Sequence, residues 1–232
     1  MRIVVQMKLL PTPEQAAALA ATLRACNAAA DHVSVVAFDR EVFSRNDLQK
    51  ITYGEVKAVF GLSAQPTARV VKKVVDAYTT LRASIRAGRL GPPGSPRRLK
   101  AEGKPIRFRL DAAQPFDDRC LSWQTDAHTV SIWTMAGRLK GIAFTGSPAQ
   151  LETLTDYRQG ESDLAHRDGM WFLYATCDVP TAPLNTDPVG WVGFACRRCG
   201  LAGPADVVAA VNVARRARTA WAFVNTPAPQ RT

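Results

Sequence analysis

Two cysteines three residues apart, Cys196 and Cys199, are the side chains in this 232-residue sequence best suited to hold a metal ion. Thiolates at this spacing can both reach one tetrahedral Zn²⁺, and Gly200 permits the tight turn between them. A structural zinc site needs four ligands, but the sequence has no second CxxC, and its three histidines are distant in the chain. The pair alone is therefore a weak zinc signal and would supply at most half of a zinc site. A redox pair and two inert thiols remain the alternatives.

The acidic residues do not form an obvious catalytic group. Cleavage of a phosphodiester by two metal ions needs several carboxylates that converge on metals ~4 Å apart. Asp117, Asp118, Asp163 and Asp168 fall in predicted turns and sheet edges, where solvated carboxylates are common. Asp206 begins the last predicted helix, where a role as N-cap explains its presence. The sequence also lacks a glycine-rich phosphate loop and an HExxH motif.

The basic residues are concentrated in one stretch, residues 66–110. It contains twelve lysines and arginines and two acidic residues, so its net charge of +10 equals that of the whole chain. The candidate nucleic-acid-binding side chains within it are Arg69, Lys72, Lys73, Arg82, Arg86, Arg97, Arg98, Lys100, Arg107 and Arg109. Such a concentration favours contact with a polyanion. The alternative is a solvated face in an arginine-rich protein.

The hydrophobic pattern places the first half of this stretch on one helix. Residues 2–9 alternate apolar and polar side chains, which predicts a half-buried strand. Thr12-Pro13-Glu14-Gln15 then predicts a helix start with a capping box. A further helix opens at Pro66, where apolar residues recur at helical spacing through Ile85. The segment GPPGSPRR (91–98) predicts a basic loop.

The apolar period changes to two after residue 105, which predicts strands. Their expected positions are 106–110, 119–124, 128–134, 138–144 and 171–179. With the N-terminal strand they predict a small antiparallel sheet or barrel, and therefore an α+β protein. One or two helical turns are expected at 151–157, a linker at 181–188 and a helix at 205–222.

The composition excludes several classes of protein. No apolar run approaches the ~20 residues needed to span a bilayer, so we expect no membrane partner. The first residues lack a secretory signal, and five sparse cysteines argue against a disulfide scaffold. We therefore expect a cytoplasmic, nucleoid-associated protein.

Several segments in combination resemble one family. They are MKLLPTPEQ (7–15), CNAAAD (26–31), RVVKKVVDAY (69–78), PFDDRCLSW (115–123), FACRRCG (194–200) and ADVVAAVNVARRA (205–217). With them the chain resembles TnpB, the transposon-encoded RNA-guided DNA endonucleases with a RuvC-like domain and a C-terminal zinc ribbon. The resemblance covers most of the chain, although each segment alone is a weak signal.

The resemblance implies three parts. Residues 1–10 and 105–187 would form a wedge-like β-barrel, and residues 11–104 a helical recognition lobe inserted after its first strand. Residues 188–232 would be a truncated remnant of the RuvC domain and zinc ribbon. In this family the wedge and recognition parts grip guide RNA and its hybrid with DNA through the backbone, while base pairing reads the sequence.

The remnant departs from the family's nuclease pattern. After DPVG (187–190) the family's catalytic aspartate is replaced, because Trp191 and Val192 follow instead. The body of the nuclease domain, its glutamate and the first CxxC are missing, so Asp206 is the sole surviving carboxylate. The family's Mg²⁺ is therefore expected to be unused here. Zn²⁺ would meet only Cys196 and Cys199, unless a homodimer through the remnant pairs two knuckles.

These observations predict a nuclease-inactive protein that binds guide-type RNA and DNA. Two alternatives stay open at this point. One is a decayed, non-functional transposase-associated gene product. The other is an endonuclease that a second chain completes.

Overall fold

The computed structural model describes residues 1–180 and two short strands further on, at 193–195 and 202–204. In chain order the elements are β1 (Arg2–Leu10), α1 (Pro13–Asp39), α2 (Arg45–Phe60), α3 (Ala64–Arg86), α4 (Pro96–Glu102), β2 (Gln114–Phe116), β3 (Leu121–Gln124), β4 (Thr129–Thr134), β5 (Gly137–Thr145), α5 (Pro148–Tyr157), β6 (Arg158–Arg167), β7 (Met170–Asp178), β8 (Gly193–Ala195) and β9 (Ala202–Pro204). The predicted α+β class is confirmed for the described residues.

The first seven strands form one antiparallel, nearly closed, barrel-like sheet in the order β2-β6-β7-β1-β5-β4-β3. The first strand of the chain lies in its middle, where it pairs with both β7 and β5. Its alternate side chains Val5, Met7 and Leu9 are buried, which confirms the half-buried strand that the sequence predicts. Asp168 and Gly169 have positive φ angles of 50° and 74° and form the tight turn between β6 and β7.

Helix α1 starts as the sequence predicts. The Thr12 hydroxyl accepts a hydrogen bond from the backbone N–H of Gln15, and the Gln15 side chain accepts one from the Thr12 N–H. This capping box satisfies two of the backbone donors that a helix N-terminus leaves unpaired. A second capping box, between Ser147 and Gln150, begins α5.

Two hydrophobic clusters hold residues 1–179 together. One lies between the sheet, the start of α1 and α5, and includes Met7, Phe116 and Leu173. The other lies among α1, α2 and α3, and includes Val33 and Val74. Residues 180–232 form a separate unit, in which β8 and β9 pair antiparallel.

Three local predictions are wrong. Residues 106–110 are not a strand, because their backbone is bonded by helix side chains: Tyr78 Oη accepts from Ile106 N–H at 3.4 Å, and Asp31 Oδ1 accepts from Phe108 N–H at 2.7 Å. Ile106 and Phe108 pack against the helical cluster, which explains the alternation.

The other two errors concern the predicted loop and a carboxylate. Helix α4 begins inside the GPPGSPRR segment, at Pro96, whose fixed φ suits a first helical turn. Asp163 lies within β6, which is an inner strand between β2 and β7, rather than in a turn or at a sheet edge.

Candidate nucleic-acid interface

Helix α3 carries the centre of the basic stretch. Its apolar residues Val70, Val74 and Tyr78 are buried against α1 and α2, at the spacing that the sequence predicts. The basic residues therefore lie off this stripe, and the structure divides them into two sets. We call Arg69, Lys72 and Lys73 the inner set, and the basic residues from Arg82 to Arg109 the outer set.

Arg69 and Lys72 of the inner set are ion-paired within the chain. Arg69 Nη2 lies 2.7 Å from Asp117 Oδ2, and its Nη1 donates to Glu161. Lys72 Nζ lies 2.8 Å from Asp76 Oδ2 and 3.5 Å from Glu161 Oε2. The pairs with Asp117 and Glu161 join α3 to the sheet. Their charges are matched inside the protein, so we assign these two residues a positioning role.

Ionisation at this junction follows from the same contacts. Burial opposes the charged form of Asp117, but hydrogen bonds from Arg69 and from the backbone N–H of Arg119 outweigh it, and the pKa of Asp117 is lowered. The carboxylate therefore stays ionised, and its pairing with Arg69 is maintained across neutral pH.

Lys73 holds the segment that returns from the helices to the sheet. Its Nζ donates to Asn27 Oδ1 at 2.5 Å and to the Ala113 carbonyl at 2.7 Å, and lies 5.2 Å from the centre of the Phe108 ring. Burial lowers the pKa of Lys73 to about 8, against the opposing influence of nearby Cys26 and two carboxylates. Lys73 is thus enclosed by protein groups on several sides.

The outer set is exposed except for the half-buried Arg98, and it has few strong partners among the described residues. Arg98 Nε pairs with Glu102 at 2.9 Å on α4. Arg107 and Arg109 approach Asp31 and Asp111 at 3.8 and 3.7 Å, but their side chains are 66% and 83% exposed. Such pairs are weak in water. Arg82, Arg86, Arg97 and Lys100 make no ion pair with a described residue.

The outer set borders a groove of about 610 Å³ that runs between the end of α3 and α4. Its floor is apolar and includes Phe38, Phe43, Tyr78, Leu81 and Ile85, and its rim carries Arg82, Arg86, Glu102 and Lys104. An adjoining depression of about 310 Å³ shares Leu81 and Lys104 and extends to Arg107. The groove is therefore continuous with the outer basic set.

Arg82 is fixed over an aromatic ring at the edge of this groove. Its Cζ lies 3.9 Å from the centre of the Phe43 ring, and Phe43 in turn meets Tyr78 at 4.8 Å between ring centres. A guanidinium in this position makes a cation–π contact and keeps its N–H donors for another partner.

Sequence reasoning identified the basic residues but not the groove. Leu81 and Ile85 continue the apolar stripe of α3 beyond the buried Tyr78, and this extension of two turns was the available signal. Phe43 lies in the short connection between α1 and α2. No sequence pattern pointed to it, because a single aromatic residue forms no hydrophobic periodicity. A second groove of about 610 Å³, between α2 and α3, is lined mainly by neutral polar side chains.

The residues predicted for zinc binding and catalysis, Cys196, Cys199 and Asp206, lie outside the described residues. The flanking strands are described: Ala195 on β8 pairs with Ala202 on β9, so both cysteines fall in the six residues between them. Within the described part of the chain no three His, Cys, Asp or Glu side chains are grouped to hold a metal ion. Among the helices described, none is long and apolar enough to span a membrane.

Comparison with known proteins adds no identification. The chain matches no protein-family model, and no curated protein matches it. The resemblance to TnpB therefore remains a prediction from the sequence segments given above.

Proposed function

We propose that this chain is a TnpB-like, transposon-associated protein that binds guide-type RNA and DNA and does not cut them. The observation that carries the proposal is the outer basic set, of which Arg82, Arg86 and Lys104 line an apolar groove and Arg107 lines the depression beside it. Phosphate contacts supply most of the non-specific affinity for nucleic acid, and each contact releases counterions.

The division of the basic stretch supports this proposal. Nine of its twelve basic residues belong to the outer set, and the stretch supplies only Glu102 as an acidic residue beside them. A protein whose basic residues served solubility alone would not need nine of them within 28 residues of chain (82–109). A polyanion could pair with these basic side chains while the internal ion pairs of Arg69 and Lys72 stay intact.

The nuclease-inactive part of the proposal rests on the sequence. Asp206 alone cannot organise two metal ions, because two-metal cleavage needs several carboxylates. Cys196 and Cys199 supply two of the four thiolates of a ribbon, so we expect substoichiometric zinc that a chelator removes easily. Sequence specificity would then come from base pairing by the bound RNA.

Expression of the chain together with its flanking DNA, followed by sequencing of copurifying RNA, tests the proposal. We expect one discrete RNA encoded beside the gene, at a higher yield than with the triple variant Arg86→Gln, Arg97→Gln, Lys100→Gln. Equal yields from both proteins, or RNA that only mirrors cellular abundance, would contradict it.

A further inference from the structure

The groove between α3 and α4 combines an apolar floor with basic side chains on its rim. Its floor offers the Phe43 ring with the aliphatic side chains of Leu81 and Ile85 above the buried Tyr78, while Arg86 and Lys104 lie on its rim. A volume of about 610 Å³ falls in the range of small-ligand sites, which is roughly 300–1,000 Å³. A flat, stackable body that carries negative charge would therefore fit.

Arg82 provides a preformed stacking surface at this site. Phe43 supports the guanidinium from one side at 3.9 Å, so that the planar group loses little further freedom when a second flat partner binds. Bases of unpaired RNA stack on aromatic rings and on arginine planes in this way. A base within a duplex cannot enter such a groove unless it leaves its stack.

Glu102 distinguishes between the charged ligands that the rim could accept. Its carboxylate pairs with Arg98 Nε through Oε1, which leaves further acceptor capacity facing the groove. A carboxylate repels a phosphate but accepts a hydrogen bond from a hydroxyl group. The ribose 2′-OH, which RNA has and DNA lacks, supplies such a donor next to the phosphates.

We infer that this groove binds one unpaired nucleotide of RNA, with its base beside Arg82 and Phe43, its phosphates on Arg86 and Lys104, and its 2′-OH toward Glu102. This inference rests on the proposed function and adds to it a distinct site for single-stranded RNA. Backbone contacts by the outer basic set serve duplex and single strand alike, whereas the groove serves only the single strand.

Charge-conserving variants separate stacking from electrostatics. Arg82→Lys keeps the charge but removes the planar group, and Arg24→Lys is the matched control, because Arg24 is an exposed helical arginine outside the basic stretch that does not line the groove. Binding of single-stranded RNA, single-stranded DNA of the same sequence and duplex RNA, each of about 12 nucleotides per strand, is compared by fluorescence anisotropy.

We expect Arg82→Lys to weaken binding of single-stranded RNA about tenfold, as loss of a stacking contact requires. Its affinity for duplex RNA should stay unchanged, and Arg24→Lys should change neither affinity. Unaltered single-strand affinity in Arg82→Lys would overturn the inference, as would equal wild-type affinity for single-stranded RNA and DNA. Absence of all RNA binding by the wild type would instead contradict the proposed function itself.

Photocrosslinking locates the base directly. Single-stranded RNA that contains 4-thiouridine is crosslinked to the wild type, which is then digested with trypsin. Arg40 and Arg45 flank Phe43, so cleavage yields a short peptide, residues 41–45, that contains it. Crosslinks in this peptide would support the inference, and crosslinks found only outside the groove would overturn it.

Discussion

Arg69 Nη2 on helix α3 lies 2.7 Å from Asp117 Oδ2 in the connection between β2 and β3. Both side chains are largely buried, at 17% and 14% exposure, and Glu161 on β6 accepts a further hydrogen bond from the same guanidinium. One side chain of the basic stretch thus ties the helical region to the sheet. Within one helix, basic residues stabilise the fold at one end and remain exposed at the other.

Replacement of Arg69 tests this structural role. We expect Arg69→Gln to lower the free energy of unfolding by about 2–3 kcal/mol, because the largely buried Asp117 carboxylate loses its ion-pair partner and Glu161 loses one of its two. Urea denaturation measures the change. The control Arg86→Gln removes an exposed arginine of the same helix and should stay within about 0.5 kcal/mol of wild type. Equal effects of the two variants would contradict the division into inner and outer sets.

Lys73 should give stability a characteristic dependence on pH. Its pKa in the folded protein is about 8, because burial disfavours the charge, while an unfolded lysine has a pKa of about 10.4. Between these values the unfolded chain binds a proton that the folded chain has released, so the contribution of Lys73 to stability rises with pH. We expect the unfolding free energy of wild type minus that of Lys73→Gln to rise by on the order of 2 kcal/mol across this window. A difference that is flat or falls with pH would show that folding does not lower the pKa of Lys73.

The described cysteines should be unreactive in the folded protein. Burial raises the pKa of Cys26 to about 12 and that of Cys120 to about 11, and it also raises the pKa of Cys177. The thiolate is the reactive form, so iodoacetamide at pH 8 should leave these three unmodified until urea is added. Mass spectrometry of tryptic peptides measures the modification. Rapid alkylation of Cys26 in native protein would show that the helical cluster opens readily.

Local chemistry made part of this fold predictable. The alternation of β1 and the capping box at Thr12 each depend on neighbours within a few residues, and both are confirmed. The strand β6 was missed because its sequence RQGESDLAHR lacks regular alternation, and pairing with β2 and β7 defines it instead. The alternation at 106–110 was wrongly taken to predict a strand. Its apolar side chains, Ile106 and Phe108, pack against helices and not within a sheet.

The candidate site shows the same limit. The sequence locates the charge of residues 66–110, but the partners of Arg69 lie 48 and 92 residues further along the chain. No local pattern could reveal which basic residues are neutralised. The groove likewise depends on the approach of α4 to α3, and the first residues of α4 were predicted as part of a loop.

The protein should not cleave DNA. Incubation with Mg²⁺, its copurified RNA and a plasmid that matches this RNA should leave the plasmid supercoiled. The reason is that Asp206 is the only carboxylate that matches the family's nuclease motifs, and two-metal cleavage needs several. Gel electrophoresis measures the outcome, and Asp206→Ala should behave like the wild type. Cleavage that Asp206→Ala abolishes would show an active endonuclease.

The salt dependence of RNA binding tests the central claim most directly. Each phosphate contact to a single strand contributes about −0.7 to the slope of log affinity against log salt concentration. The triple variant Arg86→Gln, Arg97→Gln, Lys100→Gln should therefore reduce the magnitude of the slope by about 2. The control Arg24→Gln, Arg45→Gln, Lys140→Gln removes the same charge from exposed positions outside the basic stretch and should preserve the wild-type slope. Equal slopes in all three proteins would contradict the account, because the outer basic set would then be only a solvated surface.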